Sequence, residues 1–152
     1  LCAELASAAA GMCAGQALDI DATGQAAAFD IASLERLHAL KTGALLRASL
    51  RMGAIAAGAD AAALDRFADA LGLAFQVRDD LLDVEGESAT LGKTAGKDAA
   101  RAKPTFPALI GIEASRARLD ALAGDMREAL SMLAADTSAL AALGRMAIER
   151  DR

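Results

Sequence analysis

The stretch Phe75-Gln76-Val77-Arg78-Asp79-Asp80-Leu81-Leu82-Asp83 carries three carboxylates within an apolar run. In a helix, which turns about 100° per residue, Asp79 and Asp83 lie about 40° apart around the axis. Asp80 lies about 60° from Asp83 by the same count, and Gln76 falls on the same arc one turn earlier. Because like charges at this spacing destabilise a helix, the pattern predicts a cation above the three aspartates.

The kind of cation follows from the ligands that the stretch offers. Carboxylate oxygens without a nearby His or Cys indicate Mg²⁺ or Ca²⁺, and Mg²⁺ usually completes its shell with waters and substrate phosphates. The alternative is a solvated acidic face of a helix. The apolar neighbours of the aspartates and the basic segment that follows them favour the metal site.

Composition points to one helical domain. The chain has 152 residues, of which 55% are hydrophobic and 3% aromatic, and it has no Trp or Tyr. Abundant small and aliphatic residues are typical of helical bundles. A net charge of −5 makes non-specific nucleic-acid binding unfavourable. The longest uncharged run, Leu5 to Leu18, is too short to span a membrane.

The first predicted helix runs from Leu1 to about Ile20 and is expected to be buried. It carries Gln16 and Asp19 near its end, three residues apart and therefore on one face. Buried polar side chains need partners, so the pair either lines a polar site or lies exposed at the helix end. The pattern leaves both possibilities open.

A second helix is predicted from Ser33, as its N-cap, to about Ala57, and it contains Lys41-Thr42-Gly43. Glycine is unfavourable inside a helix, so Gly43 predicts the close approach of another backbone or of a ligand. Lys41 can supply a point charge to a phosphate, although a lone Lys is more often a surface residue. We interpret His38, the single histidine, as structural or solvated.

A third helix is predicted from Asp60 to Gly86, and it is followed by a loop, Thr90 to Thr105, with two glycines and four basic residues. Such a loop suits a lid over an anion, although it lacks the spacing of a P-loop. Because the loop directly follows the three aspartates, we favour a lid over an anion rather than a solvated surface loop. Further helices are predicted from Thr105 and from about Asp136. The chain from Ala114 onward is assigned a structural role.

Five blocks of this sequence resemble those of the isoprenyl (polyprenyl) diphosphate synthases, in the same order. They are Gly15-Gln16-x-x-Asp19, Lys41-Thr42-Gly43, Phe75-Gln76-x-x-Asp79-Asp80-x-x-Asp83, Leu91-Gly92-Lys93-x-x-Gly96-x-Asp98 and Lys103-x-Thr105-x-Pro107. The set is most similar to the bacterial farnesyl diphosphate synthase type. The loop from Gly92 to Asp98 is also similar to that of geranylgeranyl diphosphate synthases.

The resemblance implies an all-α bundle around a central cavity and a Mg²⁺-dependent 1′-4 condensation of an allylic diphosphate with isopentenyl diphosphate. It implies that Asp79 and Asp80 hold the metal and that Asp83 supports them through water. Asp79, Asp80 and Lys41 are the catalytic residues in this reading. The substrate-binding residues are Lys41, Lys93 and Lys103 on the diphosphate, Thr42 and Gln76 as hydrogen-bonding groups, and Gln16 and Asp19 along the pocket wall.

One part of the family pattern has no counterpart here. The family carries a first aspartate-rich motif on an earlier helix, and this sequence has none before Asp79. Because the chain also starts within a helical pattern without a capping residue, we expect residues 1–152 to be the C-terminal part of a single domain. The resemblance further implies a cytoplasmic homodimer.

Two other interpretations stay open. A class I terpene cyclase shares the metal chemistry, but its second motif usually mixes Asn or Asp with Ser or Thr and Glu. A non-catalytic helical subunit of a heteromeric prenyl synthase is the alternative from a different class. The retained Lys and Asp residues argue against a purely structural role.

Overall fold

The computed structural model describes residues 1–25, 28–89 and 103–150. Within these ranges the chain forms α1 Cys2–Asp21, α2 Ile31–His38, α3 Ala44–Ala56, α4 Asp65–Ala89, α5 Phe106–Ile110, α6 Ile112–Ser131 and α7 Ser138–Glu149. The described ranges contain no strand, and the all-α prediction is confirmed. The segment from Thr90 to Ala102, which includes Lys93 and most of the predicted anion-binding loop, lies outside the described residues.

α4 is the helix around which the others pack. The residues that it contributes to the hydrophobic core follow one face of the helix, as in an amphipathic helix: Phe67, Ala70, Leu71, Ala74, Val77 and Leu81. This face packs mainly against α6, which contributes Leu119, Leu122 and Met126 to the same core. Burial of one such large side chain contributes about 1.5–3 kcal/mol, so the contact between α4 and α6 is a large part of what stabilises the core.

The predicted helix from Ser33 to Ala57 is wrong in its start and in its continuity. The N-cap is Asp30, whose carboxylate accepts a hydrogen bond of 2.7 Å from the backbone N–H of Ser33. Between α2 and α3 the chain forms a π-helical turn, Ala39–Gly43. A π-turn changes the direction of the side chains that it carries, and such turns are frequent at functional sites.

Two glycines let neighbouring helices reach this π-helical turn. A Cβ atom added to Gly15 of α1 would lie 2.3 Å from the backbone nitrogen of Lys41. A Cβ atom added to Gly72 of α4 would lie 2.9 Å from the Cα atom of Gly43. The close backbone approach that was predicted at Gly43 is confirmed, and α4 is the element that approaches.

Other predicted boundaries are shifted by a few residues. Asp60 caps a 3₁₀ turn, Ala61–Leu64, and α4 itself begins at Asp65. Its backbone continues past Gly86 to Ala89. Thr105 caps α5 as predicted, because its hydroxyl accepts a hydrogen bond of 3.3 Å from the N–H of Ala108.

α1 is less buried than the sequence predicts. Only Ala8 and Gly15 are buried in it, and Leu5, Leu18 and Ile20 are exposed. Arg51 of α3 holds the N-terminal half of this helix by donating hydrogen bonds to Glu4, at 3.0 and 3.1 Å. In the described part of the chain, no helix is both long enough and apolar enough to cross a membrane.

Candidate functional site

Two lysines share one carboxylate at the end of α1. Lys41 Nζ lies 2.9 Å from Asp19 Oδ2, and Lys103 Nζ lies 2.9 Å from the same oxygen and 3.1 Å from Oδ1. The three side chains come from α1, from the π-helical turn and from the segment before α5. All three are partly buried, with 14%, 28% and 18% of the Asp19, Lys41 and Lys103 side chains exposed.

The electrostatics of this cluster favour an anion. Burial works against ionisation of Asp19, but hydrogen bonds from Lys41 and Lys103 outweigh it, and the pKa of this carboxyl lies below its usual value. Asp19 is therefore charged at neutral pH and neutralises one of the two ammonium groups. The cluster therefore keeps one net positive charge on side chains that hydrogen bonds hold in place. Such a charge can bind a phosphate group.

A second polar contact joins the π-helical turn to α4. The hydroxyl of Thr42 donates a hydrogen bond of 2.6 Å to Gln76 Oε1. Gln76 precedes Asp79 and Asp80 by about one helical turn. The lysine cluster and the aspartates are therefore connected through adjacent residues of two packed elements, because Lys41 and Thr42 are neighbours in the turn.

The three aspartates lie in different environments. Asp80 is only 6% exposed, and its Oδ2 accepts a hydrogen bond of 2.9 Å from the backbone N–H of Phe106 at the start of α5. The side chain of Asp79 is 49% exposed, and Asp83 is partly buried. Asp80 thus anchors α5 to α4, whereas Asp79 and Asp83 are the more accessible carboxylates.

The chemistry of these side chains fits a hard cation with few protein ligands. Among the described residues, no group of three or more His, Cys, Asp or Glu is arranged to hold a metal ion. Mg²⁺ does not need such a group, since one or two carboxylates, waters and substrate phosphates complete its shell. Asp79 and Asp83, four residues apart on α4 and both accessible, match this requirement.

Arg150 contacts the acidic stretch, although it lies in a region for which the sequence predicts a structural role. Its Nη2 donates to Asp79 Oδ1 at 2.5 Å and to the backbone carbonyl of Phe75 at 3.0 Å. Its guanidinium also lies 3.9 Å from the centroid of the Phe75 ring. Asp79 and Arg150 are 71 residues apart, so no local sequence signal could have paired them.

His38 is a structural residue and not a solvated one. It is buried, and its ring stacks on that of Phe106 with centroids 5.9 Å apart. Burial, followed by the charge of Lys41, lowers its pKa to about 4. Neither ring nitrogen has a hydrogen-bond partner among the described residues, so the neutral imidazole acts here as a packing group.

Two predicted site residues are not part of the described cluster. Gln16 is exposed on α1 and takes no part in the hydrogen bonds described above. Lys93 lies outside the described residues. The chain also has a cavity of about 960 Å³ between α1, α2 and α3, lined among others by Gly11, Glu35 and Arg47. None of the predicted site residues that the structure describes lines it.

Comparison with known proteins adds independent information. The family described as Polyprenyl synthetase matches residues 1–139. The chain is 50% identical to farnesyl diphosphate synthase of Escherichia coli (strain K12) over 158 residues, which cover 98% of this chain and 52% of that protein. It is 47% identical to a chloroplastic geranylgeranyl pyrophosphate synthase of Capsicum annuum over 109 residues, covering 70% and 29% of the two chains.

A solved structure shows the same fold. The polyprenyl synthase of Caulobacter crescentus CB15, complexed with calcium and isoprenyl diphosphate, superposes with a TM-score of 0.79 at 28% identity, over 98% of this chain and 58% of that one. The chain thus spans about half the length of the curated relatives it matches. With the family match extending over most of its residues, the chain belongs to the polyprenyl synthetase family.

Proposed function

We propose that the protein catalyses the Mg²⁺-dependent 1′-4 condensation of an allylic diphosphate with isopentenyl diphosphate, and that residues 1–152 form the C-terminal part of its single domain. The observation that carries this proposal is the cluster of Lys41, Lys103 and Asp19, joined to the aspartates of α4 through Thr42 and Gln76. The relatives named above support it, since both are prenyl diphosphate synthases by name.

Lys41 and Lys103 bind the diphosphate of the allylic substrate in this proposal. Negative charge develops on that diphosphate as its bond to the allylic carbon breaks, and fixed cations at that position stabilise the transition state. Asp19 fixes both ammonium groups in place before the substrate arrives. We assign Lys93 to the same diphosphate on the basis of its sequence block alone.

Asp79 and Asp83 are the residues that we propose as direct metal ligands, and Asp80 supports them. A Mg²⁺ ion held by these two carboxylates would neutralise part of the negative charge that develops on the departing diphosphate. The buried Asp80 accepts the N–H of Phe106 and so fixes the start of α5 relative to α4. This assignment differs from the one that the family resemblance implies. There, Asp79 and Asp80 bind the metal and Asp83 acts through water.

The remaining steps use the substrates' own chemistry. The double bond of isopentenyl diphosphate attacks the allylic carbocation, and a proton then leaves the product, with the departed diphosphate as its acceptor. The hydrogen bond between Thr42 and Gln76 fixes the π-helical turn that carries Lys41 relative to α4. The reaction requires a site that excludes water, because water would capture the carbocation.

We propose farnesyl diphosphate as the product, because the E. coli relative of that name covers 98% of this chain. A geranylgeranyl product is the alternative, which the Capsicum annuum relative supports. A non-catalytic subunit of a heteromeric synthase is a further alternative. A homodimeric state and a cytoplasmic location are also part of the proposal.

The direct test is a condensation assay on the full-length gene product with Mg²⁺, geranyl diphosphate and radiolabelled isopentenyl diphosphate. We expect a labelled C15 or C20 diphosphate, and we expect Lys41→Gln to lower kcat by about 10²-fold or more. Arg127→Gln, which removes an exposed cation from α6, is the control and should leave turnover unchanged. A Lys41→Gln protein with undiminished turnover would overturn the assignment of the diphosphate site.

A further inference from the structure

The side chain of Arg150 packs against α4 beside Asp79, the first aspartate of the acidic stretch. We propose that Arg150 is a built-in counter-cation for Asp79 which a divalent cation has to displace, so that it weakens metal binding in the absence of substrate. This inference rests on the proposed function, because it takes Asp79 as a metal ligand. It adds a positioning residue that the sequence blocks do not contain.

Several independent contacts build this site, which distinguishes it from a casual surface ion pair. The guanidinium of Arg150 contacts Asp79, the carbonyl oxygen of Phe75 and the face of the Phe75 ring. Arg78 also fixes the backbone of Arg150, because its Nε and Nη2 donate hydrogen bonds of 3.0 and 2.9 Å to the backbone carbonyl of Arg150. The side chain of Arg150 is only 21% exposed as a result.

A metal ion bound to Asp79 would compete with Arg150 for the carboxylate of Asp79. A guanidinium at hydrogen-bond distance from Asp79 Oδ1 occupies the position that a cation bound to that oxygen would need. The two cations also repel each other at short range. A metal ion can therefore use that oxygen only after the guanidinium has moved away.

The pair is suited to displacement because Asp79 is half exposed. Ion pairs with a solvent-accessible partner contribute little net free energy, and salt weakens them further. Two other sets of contacts do not involve Asp79. The guanidinium of Arg150 contacts Phe75, and Arg78 donates hydrogen bonds to the backbone carbonyl of Arg150. Arg150 can therefore release the carboxylate while its backbone stays attached to α4.

Other nearby groups do not take over this role. The guanidinium of Arg78 is engaged with the carbonyl of Arg150 and lies 3.5 Å from Glu85 Oε2. Lys41 and Lys103 are both bound to Asp19. In the described part of the chain, the salt bridge of Asp79 is formed with Arg150.

The test measures Mn²⁺ affinity of the full-length gene product by the loss of the free-ion signal in electron paramagnetic resonance, without diphosphate. We expect Arg150→Gln to bind Mn²⁺ about two- to fivefold more tightly than wild type, as loss of a weak competing ion pair implies. Arg150→Lys keeps the charge without the planar fork and should fall between the two. Arg145→Gln, on the exposed side of α7, should bind as wild type does.

Each outcome decides a different point. Unchanged or weaker Mn²⁺ binding by Arg150→Gln would overturn the competition, and so would equal tightening by Arg145→Gln, which would indicate a long-range charge effect. Asp79→Asn should weaken Mn²⁺ binding severalfold; if it does not, the metal assignment in the proposed function fails instead. Should Arg150→Gln not fold, wild type and Arg150→Lys remain: equal Mn²⁺ affinities of the two would overturn the inference.

Discussion

A Cβ atom on Gly15 would lie 2.3 Å from the backbone nitrogen of Lys41 and 2.6 Å from its Cα atom, so α1 crosses the π-helical turn at a point where only glycine fits. This crossing brings Asp19, one helical turn further along α1, to the ammonium group of Lys41. The geometry of the anion-binding cluster therefore depends on a residue that has no functional group.

Gly15→Ala is expected to destabilise the protein, because α1 has to move away from a backbone that cannot yield as a flexible side chain would. Overpacking of this kind typically costs about 1–3 kcal/mol in the free energy of unfolding, measured by urea denaturation. Gly53→Ala is the matched control. Gly53 lies exposed on α3 with nothing within 4 Å of an added Cβ, so this change should be neutral or stabilising by up to about 1 kcal/mol. Equal effects of the two substitutions would contradict the close crossing.

The ion cluster at Asp19 predicts a pH dependence of stability. The pKa of Asp19 is lowered in the folded protein from its ordinary value of 3.8, so the unfolded chain binds the proton first as the pH falls. Its contribution to stability is therefore complete well above pH 3.8 and is lost as the pH falls through the lowered folded value. We expect the difference in unfolding free energy between wild type and Asp19→Asn to shrink from pH 6 to pH 3. A constant difference over this range would show that the two lysines do not stabilise the charged carboxylate.

His38 should make the protein less stable in mild acid. Its pKa is about 4 in the folded protein against an ordinary 6.5, so between these values the unfolded chain binds more protons than the folded one. Stability should fall as the pH drops from 7 to 5, by about 1–2 kcal/mol from this residue. His38→Leu should remove that part of the slope, as measured by urea denaturation at the two pH values. Proton NMR of the ring offers a direct check, and a titration midpoint near 6.5 in the folded protein would refute the buried neutral state.

The adjacent Asp79 and Asp80 should respond differently to substitution. Asp80→Ala leaves the buried N–H of Phe106 without its acceptor, which is expected to cost about 1–3 kcal/mol of stability. Asp79→Ala removes a half-exposed ion pair and should cost about 1 kcal/mol or less. Urea denaturation of both variants tests this order. If Asp79→Ala proved the more destabilising, the assignment of Asp80 as the structural anchor of α5 would have to be abandoned.

Residues 1–152 by themselves are expected not to catalyse the condensation. The chain spans about half the length of its curated relatives and carries one aspartate-rich stretch, whereas the proposed reaction needs a metal held from two sides and a second substrate site. The measurement compares this chain with the full-length gene product in the radiolabelled assay described above. Robust turnover by the 152-residue chain would show that the active site is complete within it.

The sequence by itself was sufficient for the fold class and for the grouping of the candidate metal ligands on one arc of a helix. Helical periodicity and small apolar residues predict an all-α chain, because both are local properties of a helix that packs closely. The spacing of Asp79, Asp80 and Asp83 places them on one arc for the same local reason. The position of Gly43 inside a helical pattern predicted the close approach of a backbone or of a ligand, and the structure shows that the backbone of α4 approaches it.

Only the tertiary structure decided which of these residues act together. The π-helical turn at Lys41 was not predictable from periodicity, because contacts with Gly15 and Gly72 on other helices accompany it. The difference between the buried Asp80 and the accessible Asp79 arises from α5, which approaches one face of α4. Arg150 reaches Asp79 across 71 residues, and contacts at such separations depend on how α7 packs against α4, which no local pattern encodes.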